Sequence, residues 1–124
     1  MGDINTSLWL PGLLQRATSL AEEDDWSPFR PGVSIRWLYR THPGGPEAAL
    51  LRYEPGAGVP LHEHLGYEHV LVLQGSQSDE RGHYPCGSFV VNLPGSSHSV
   101  TSEGGCVVLL IWERGVRIID PDSR

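Results

Sequence analysis

The sequence predicts an all-β fold, a small antiparallel barrel or jelly roll. Fifteen glycines and ten prolines are spread through the 124 residues and separate short runs rich in β-forming residues. About eight such runs occur, at the spacing typical of these two folds. The length fits one domain, which we place over residues 1–124 with its core over about 30–115.

The strand predictions begin with Val33–Arg40, where apolar side chains alternate with polar ones, as in a strand with one buried face. Tyr67–Gln77 is instead apolar on both faces through Val70–Leu73, which is typical of a strand packed inside a sandwich. Asp79–Gly82 has the acidic first residue and the final glycine of a turn. Further strands are predicted over residues 47–53, 88–93, 98–102 and 106–113.

Residues 1–29 are predicted to form an N-terminal arm ahead of the strands. The arm is apolar around Leu8–Leu10, is interrupted by a Pro-Gly pair, and then continues in a helix predicted over Leu13–Glu23. The prolines that follow are expected to end whatever structure precedes them. At the other terminus, the polar residues 120–124 are expected to fray.

The composition argues against several functional classes. The net charge is −6 and no basic run occurs, so we expect neither nucleic-acid binding nor a basic membrane-surface helix. The longest apolar run, Val107–Trp112, is far too short to span a bilayer, and the N-terminus lacks the pattern of a signal peptide. Cys86 and Cys106 form neither a disulfide framework nor a C-x-x-C pair. We therefore expect a cytoplasmic protein with reduced thiols.

A group of metal-binding residue types lies between Gly56 and Gly75. His62, His64 and Glu68 share one parity, so their side chains point to one face if a single strand continues through the intervening residues. Imidazole nitrogen and carboxylate oxygen are ligands for iron, zinc, manganese and nickel. His98, which follows a Pro-Gly-Ser-Ser turn, is the best candidate for a fourth ligand. The sequence therefore predicts a site for one divalent transition metal.

This donor set leaves the identity and the role of the metal open. On an octahedral ion such as Fe(II), Mn(II) or Ni(II), three imidazoles and one carboxylate would leave two positions free. On Zn(II), the same four ligands would close a tetrahedral structural site, unless water displaces Glu68. The site is thus compatible with catalysis and with a structural role.

The spacing of these residues resembles the first signature of the cupin superfamily. That signature, G-x5-H-x-H-x3-E-x6-G, is met in full by Gly56, His62, His64, Glu68 and Gly75. The resemblance implies a single small β-barrel of the jelly-roll type with the metal inside the barrel.

A second cupin signature, G-x5-P-x-G-x2-H-x3-N, is met less completely. Gly87 and His98 are in step, whereas Leu93 stands where Pro is expected and Ser102 where Asn is expected. The short separation between the two signatures is compatible with a single-domain cupin.

Much of the chain is similar to the ChrR-like cupin family. The resemblance lies in W-x-P at 26–28, G-V-S-I-R-W-L-Y-R at 32–40, and the stretches 49–64, 66–84 and 87–98. This family includes the C-terminal domain of ChrR-type anti-sigma factors, which implies zinc binding and a response to singlet oxygen. It also borders on Fe(II) dioxygenases of the acetylacetone-cleaving type.

The chain departs from ChrR-type anti-sigma factors in one respect. Those proteins carry an N-terminal helical domain with a His/Cys zinc site, whereas no cysteine occurs here before position 86. We therefore expect that the chain is not a complete anti-sigma factor of that kind.

Two functions follow as hypotheses. The first is a metal-dependent oxidoreductase of the Fe(II) dioxygenase type, in which His62, His64 and His98 hold the metal and Glu68 is a fourth or exchangeable ligand. The second is a non-catalytic, zinc-binding sensor or ligand-binding module, as the ChrR resemblance implies. A metal-free structural cupin is disfavoured because all four ligand positions hold competent residues.

Three further expectations concern single side chains. Either Arg52 or Tyr53 should face the barrel interior, and an inward arginine would favour an anionic substrate. Glu63 lies between the two ligand histidines and should point the opposite way. Because cupins often pair through their N-terminal strands, Trp9 and Leu10 are candidates for a homodimer contact.

Overall fold

The computed structural model describes residues 7–119, and the predictions made for residues 4–6 and 120–124 lie outside them. Within the described range, one helix is followed by ten strands. No helix in this part of the chain is long and apolar enough to cross a membrane. The elements are α1 (Leu13–Ala21), β1 (Ser27–Arg30), β2 (Val33–Arg40), β3 (Glu47–Tyr53), β4 (Ala57–His64), β5 (Glu68–Asp79), β6 (Gly82–Pro85), β7 (Phe89–Asn92), β8 (Ser97–Ser102), β9 (Cys106–Trp112) and β10 (Val116–Ile118).

The strands form two antiparallel layers. Sheet I has the order β1-β2-β3-β9-β5-β7, and sheet II contains β10, β4 and β8 together with β6 and the end of β5. The edge strands β1 and β10 lie at opposite ends of the strand order. This architecture confirms the predicted all-β jelly roll.

The core lies between the two layers. Val70 and Val72 of β5 and Val108 of β9 are at most 5% exposed and pack with Val100 of sheet II. Full burial of one such aliphatic side chain contributes about 1.5–3 kcal/mol. The inward faces of both sheets therefore hold the layers together and form the walls of the site described below.

Strand β5 belongs to both sheets and bends where it passes from one to the other. Its first part, Glu68–Gly75, pairs with β9, and its last part, Ser76–Asp79, pairs with β6. The bend occurs at Gly75, where φ is +75° and a Cβ would lie 2.1 Å from the Gly105 carbonyl oxygen. The last glycine of the first cupin signature is therefore a structural requirement of the crossover.

Helix α1 covers part of the outer face of sheet I. It ends two residues before the predicted terminus and buries Ala17 and Leu20 against Leu50, Leu73 and Val107. Ahead of the helix, the Trp9 side chain is 79% exposed. The homodimer contact through Trp9 and Leu10 stays a prediction.

Three short strands lie outside the predicted ones, and one of them, β6, occupies Gly82–Pro85 directly after the predicted turn. β1 occupies Ser27–Arg30, a stretch in which the prolines indicated a break, and β10 occupies Val116–Ile118 near the end of the chain. Pro28 is tolerated in β1 because β1 is an edge strand. The other predicted strands are present within one or two residues of their expected bounds.

Candidate metal centre

The structure brings together the four predicted ligand residues between the two sheets. His62 and His64 lie on β4, and His98 lies directly opposite His62 on β8, so sheet II supplies three imidazoles. Glu68, the first residue of β5, supplies the carboxylate from sheet I. The four side chains are buried, and one ligand atom from each lies within 4.8 Å of the others.

The four residues do not lie on one continuous strand, so the condition under which parity alone would bring His62, His64 and Glu68 to one face is not met. β4 ends at His64 and β5 begins at Glu68, and residues 65–67 carry the chain from sheet II to sheet I. Gly66 lies in this crossover, where a Cβ would be 2.8 Å from Glu113 Oε1. The carboxylate consequently faces the histidines from the opposite sheet, which encloses the site more completely than one strand face would.

His62 and His64 are each oriented by a hydrogen bond at Nδ1. The His62 Nδ1–H donates to the Pro60 carbonyl at 2.9 Å, and the His64 Nδ1–H donates to the Ser96 carbonyl at 3.1 Å. A carbonyl oxygen can only accept, so both rings carry their proton on Nδ1. Each Nε2 lone pair is therefore available to a metal.

His98 is oriented by a carboxylate instead. Its Nδ1 lies 2.9 Å from Asp79 Oδ2, and both side chains are almost fully buried. The other Asp79 oxygen accepts hydrogen bonds from the Tyr84 hydroxyl at 2.8 Å and from the Arg81 and Gly82 amides. Burial disfavours the Asp79 carboxylate, but these hydrogen bonds outweigh it and lower the pKa of the side chain.

The imidazole Nε2 atoms have no hydrogen-bond partners of their own. Those of His64 and His98 are buried without one, although the His64 Nε2 lies 3.1 Å from Glu68 Oε1 in a geometry that is not a hydrogen bond. Buried polar atoms are normally satisfied, so two orphaned nitrogens in one cluster indicate a missing partner.

A transition metal fits this arrangement. Ligand atoms at about 2.1 Å from one ion lie at most about 4.2 Å apart, so small side-chain adjustments bring the four donors into range. One ion would satisfy both orphaned nitrogens.

Glu68 is held by two donors besides its contact with His64. Trp112 Nε1–H donates to Glu68 Oε2 at 2.7 Å, and Asn92 Nδ2–H donates to Oε1 at 2.9 Å. Trp112 and Asn92 are the cross-strand neighbours of Glu68 on β9 and β7. They were not predicted, because neither position shows a signal in a single sequence.

The protonation states of the site suit metal binding. Burial, together with the neighbouring histidines, lowers the pKa of His62 despite the opposing hydrogen bond to Pro60. The Glu68 carboxylate accepts hydrogen bonds from Trp112 and Asn92, which favour its ionised form. Neutral imidazole and ionised carboxylate are the forms that ligate a metal.

A cavity adjoins the four ligand residues inside the barrel. Its volume is about 110 Å³, room for several waters or a small molecule, and most of its walls are apolar. The exposed side chains among its lining residues are Phe29 on β1 and Ile118 on β10. The cavity therefore reaches solvent between the two edge strands.

Tyr53, and not Arg52, faces the interior. Tyr53 is 5% exposed and lines the cavity, where burial strongly raises the pKa of its phenol and keeps the hydroxyl protonated. Arg52 lies on the outer face, where its guanidinium donates to the Ala21 carbonyl at 2.7 Å. The arginine that lines the cavity is Arg30, on the unpredicted strand β1.

Glu63 has the outward orientation that its parity predicted. Its carboxylate pairs with Arg117 on the neighbouring strand β10, and it is absent from the four-residue cluster.

Comparison with known proteins agrees with this geometry. The family model of the ChrR cupin-like domain matches residues 14–114. No curated protein is significantly similar to the chain. The anti-sigma factor ChrR of Rhodobacter sphaeroides, solved in complex with SigE, is 30% identical over 74% of this chain and 50% of the ChrR chain, with a TM-score of 0.65. This chain thus spans half the length of the ChrR chain.

Two further solved structures show the same fold at lower identity. An RmlC-like cupin protein of Ralstonia eutropha is 22% identical, covers 80% of this chain and 69% of its own, and has a TM-score of 0.72. A putative acetylacetone dioxygenase of Methylibium petroleiphilum is 12% identical, covers all of this chain and 88% of its own, and has a TM-score of 0.76.

Proposed function

Because the chain belongs to the ChrR cupin-like family, we propose that it binds one divalent transition metal and acts on a small molecule held in the adjoining cavity. The ligands are His62, His64, Glu68 and His98. The observation that supports this most directly is that the Nε2 atoms of His64 and His98 are buried without hydrogen-bond partners. The Nδ1 atoms of all three histidines bond to oxygens outside the cluster, which leaves each Nε2 facing its centre.

We place the activity in the Fe(II) dioxygenase class. A redox-active ion in this site would supply the reaction with O2, and four protein donors leave positions open on an octahedral ion. The protein's part is to hold the ligands rigidly, with Glu68 fixed by Trp112 and Asn92, and to exclude bulk water by the apolar cavity walls.

The cavity favours a compact and mostly apolar substrate that carries an oxygen acceptor. Arg30 lines the cavity and, among residues 7–119, forms no ion pair or side-chain hydrogen bond. An unpaired guanidinium prefers a carboxylate or enolate oxygen. The protonated Tyr53 hydroxyl is a second donor in the same cavity.

A second candidate function is a zinc-binding module that responds to a small molecule without turning it over. It is favoured by the 30% identity to the anti-sigma factor ChrR, which exceeds the 12% identity to the putative acetylacetone dioxygenase. Zinc lacks redox chemistry, so the same ligands would then serve stability and signalling.

Metal analysis and O2 uptake on one preparation distinguish the two functions. Protein purified without chelators is analysed for metal, reconstituted with Fe(II), and tested for O2 consumption with acetylacetone and other β-diketones. A dioxygenase places both atoms of O2 in the product, so O2 uptake and substrate loss should occur one to one.

His62→Ala and Glu63→Gln are the paired variants for this experiment. His62→Ala should lose metal and activity, whereas Glu63→Gln, on the outer face of the same strand, should retain both. Stoichiometric zinc with no O2 uptake after Fe(II) loading would reject the oxygenase in favour of the zinc module. Unchanged metal content in His62→Ala would reject the site.

A further inference from the structure

The turn between β5 and β6 is anchored to the ligand strand β8 by two successive acidic residues. Asp79 Oδ2 accepts a hydrogen bond from the ring of His98, and the Glu80 carboxylate accepts two from Ser99, through its amide at 3.0 Å and its hydroxyl. The two acids contact different residues of β8. Asp79 contacts the predicted ligand His98, whereas Glu80 contacts the next residue, Ser99.

Both carboxylate oxygens of Asp79 are hydrogen-bonded. Its Oδ1 accepts from the Arg81 and Gly82 amides at 2.9 and 3.1 Å and from the Tyr84 hydroxyl at 2.8 Å. Its Oδ2 accepts from His98 at 2.9 Å. The β5–β6 turn therefore fixes the Asp79 carboxylate, which fixes the imidazole of His98.

We propose that Asp79 is a positioning residue for the metal centre: it holds the proton of His98 on Nδ1 and thereby keeps the Nε2 lone pair available to the metal. This inference rests on the proposed metal site. A backbone carbonyl, which a substitution cannot remove, orients each of the two other histidines, and His64 also contacts the Ser96 hydroxyl at 3.0 Å. His98 alone of the three is oriented by a side chain without a carbonyl, so Asp79 is the residue through which the tautomer of a ligand can be changed.

Asp79→Asn tests this role because it reverses one hydrogen bond and preserves the shape of the turn. The Asn Oδ1 must stay where the two amides and the Tyr84 hydroxyl donate to it, so the Asn Nδ2 faces the ring of His98. Two donors cannot face each other, so His98 should move its proton to Nε2. Glu80→Gln is the matched control, since it removes the same charge from the adjacent turn position.

Two quantities are measured. ¹⁵N–¹H NMR of the metal-free protein shows which ring nitrogen of each histidine is protonated. Competition with a chromophoric chelator gives the Zn(II) affinity. In the wild type and Glu80→Gln, we expect the His98 proton on Nδ1 and Zn(II) affinities within about twofold. In Asp79→Asn, we expect the proton on Nε2 and a Zn(II) affinity lower by about 10–100-fold.

Each alternative result overturns the proposal in a distinct way. An Nε2 proton on His98 in the wild type contradicts the proposed role of Asp79. This measurement needs no variant, so the proposal can be tested even if Asp79→Asn does not fold. Wild-type Zn(II) affinity in Asp79→Asn, or an equal loss in Glu80→Gln, rejects the positioning role and leaves the metal site intact. If the wild-type protein binds no Zn(II), the metal site is wrong and the positioning role falls with it.

Discussion

At the scale of single residues, the centre is defined by what each imidazole does with its two nitrogens. One nitrogen donates to an oxygen of a surrounding strand or turn, and the other points into a buried cluster whose ring centroids are 4.6–5.0 Å apart. Such a cluster is unfavourable once the rings are charged, because like charges repel in a poorly hydrated interior. Without a metal, its stability should therefore depend on pH.

His62 gives the sign of this dependence. Its pKa is lower in the folded protein than in the unfolded chain, whose histidines titrate near about pH 6.5. Above that pH, His62 is neutral in both states and imposes no penalty. Below that pH, the unfolded chain binds a proton that the folded His62 does not, so stability is lost by up to about 1.4 kcal/mol per pH unit until the pH has fallen past the folded-state pKa.

Urea denaturation of the metal-free protein between pH 7.5 and 5.5 measures this effect. The wild-type midpoint should fall with decreasing pH, and His62→Gln should flatten the profile. The control, His42→Gln, alters an exposed loop histidine and should leave the slope unchanged. A wild-type midpoint that rises on acidification, or equal slopes in wild type and His62→Gln, would show that His62 is not held neutral.

Residue types and spacing predicted the four side chains that the structure brings together, but not the residues that support them. Asp79, Asn92 and Trp112 lie 19, 24 and 44 positions in sequence from the side chains they contact. These contacts depend on which strands pair and in what register. A single sequence does not contain that information.

At the scale of secondary-structure elements, two glycine-containing segments place the donors on opposite sheets. The crossover at residues 65–67 separates the histidines of β4 from Glu68, and the bend at Gly75 then returns β5 to sheet II. Parity along one strand predicted that the donors converge, but not that they converge from two layers. The start of a separate strand at Tyr67 was predicted within one residue, but the sequence does not show that this strand begins in the other sheet.

Gly75→Ala should be far more destabilising than Gly87→Ala. Both glycines have positive φ, +75° and +91°, so both substitutions incur the same backbone penalty of about 1–2 kcal/mol. Only at Gly75 would the new Cβ meet backbone, 2.1 Å from the Gly105 carbonyl oxygen, whereas nothing lies within 4 Å at Gly87. We expect an additional loss of about 1–3 kcal/mol in the free energy of unfolding.

Chemical denaturation of the two variants gives this difference directly. Equal free energies of unfolding would mean that the strands separate at Gly75 without cost, and the close approach of β5 to Gly105 would then not be required for the fold.

The longer strands β2 and β3 are found at their predicted bounds. β1 and β10 are only four and three residues long, too short for alternation to be visible. They nevertheless line the open end of the cavity, with Phe29 and Arg30 from β1 and Ile118 from β10. The open end of the cavity, which an entering ligand would contact first, is thus the part that sequence patterns did not predict.

At the scale of the whole molecule, the centre joins the two sheets of the barrel. Sheet II supplies three imidazoles and sheet I supplies the carboxylate, so one bound ion would link both layers across the core. A ligand that binds only the folded protein stabilises it in proportion to its affinity and concentration. The position of the metal would therefore make it part of the fold as well as of the reaction.

The most direct test of the central claim is X-ray absorption spectroscopy of the metal-loaded protein, with His98→Ala as the reference variant. We predict a first shell of nitrogen and oxygen atoms at about 2.0–2.2 Å that includes three imidazoles, and a loss of one imidazole in His98→Ala. A spectrum with sulfur ligands, or one that His98→Ala leaves unchanged, would contradict a metal centre built from His62, His64, Glu68 and His98.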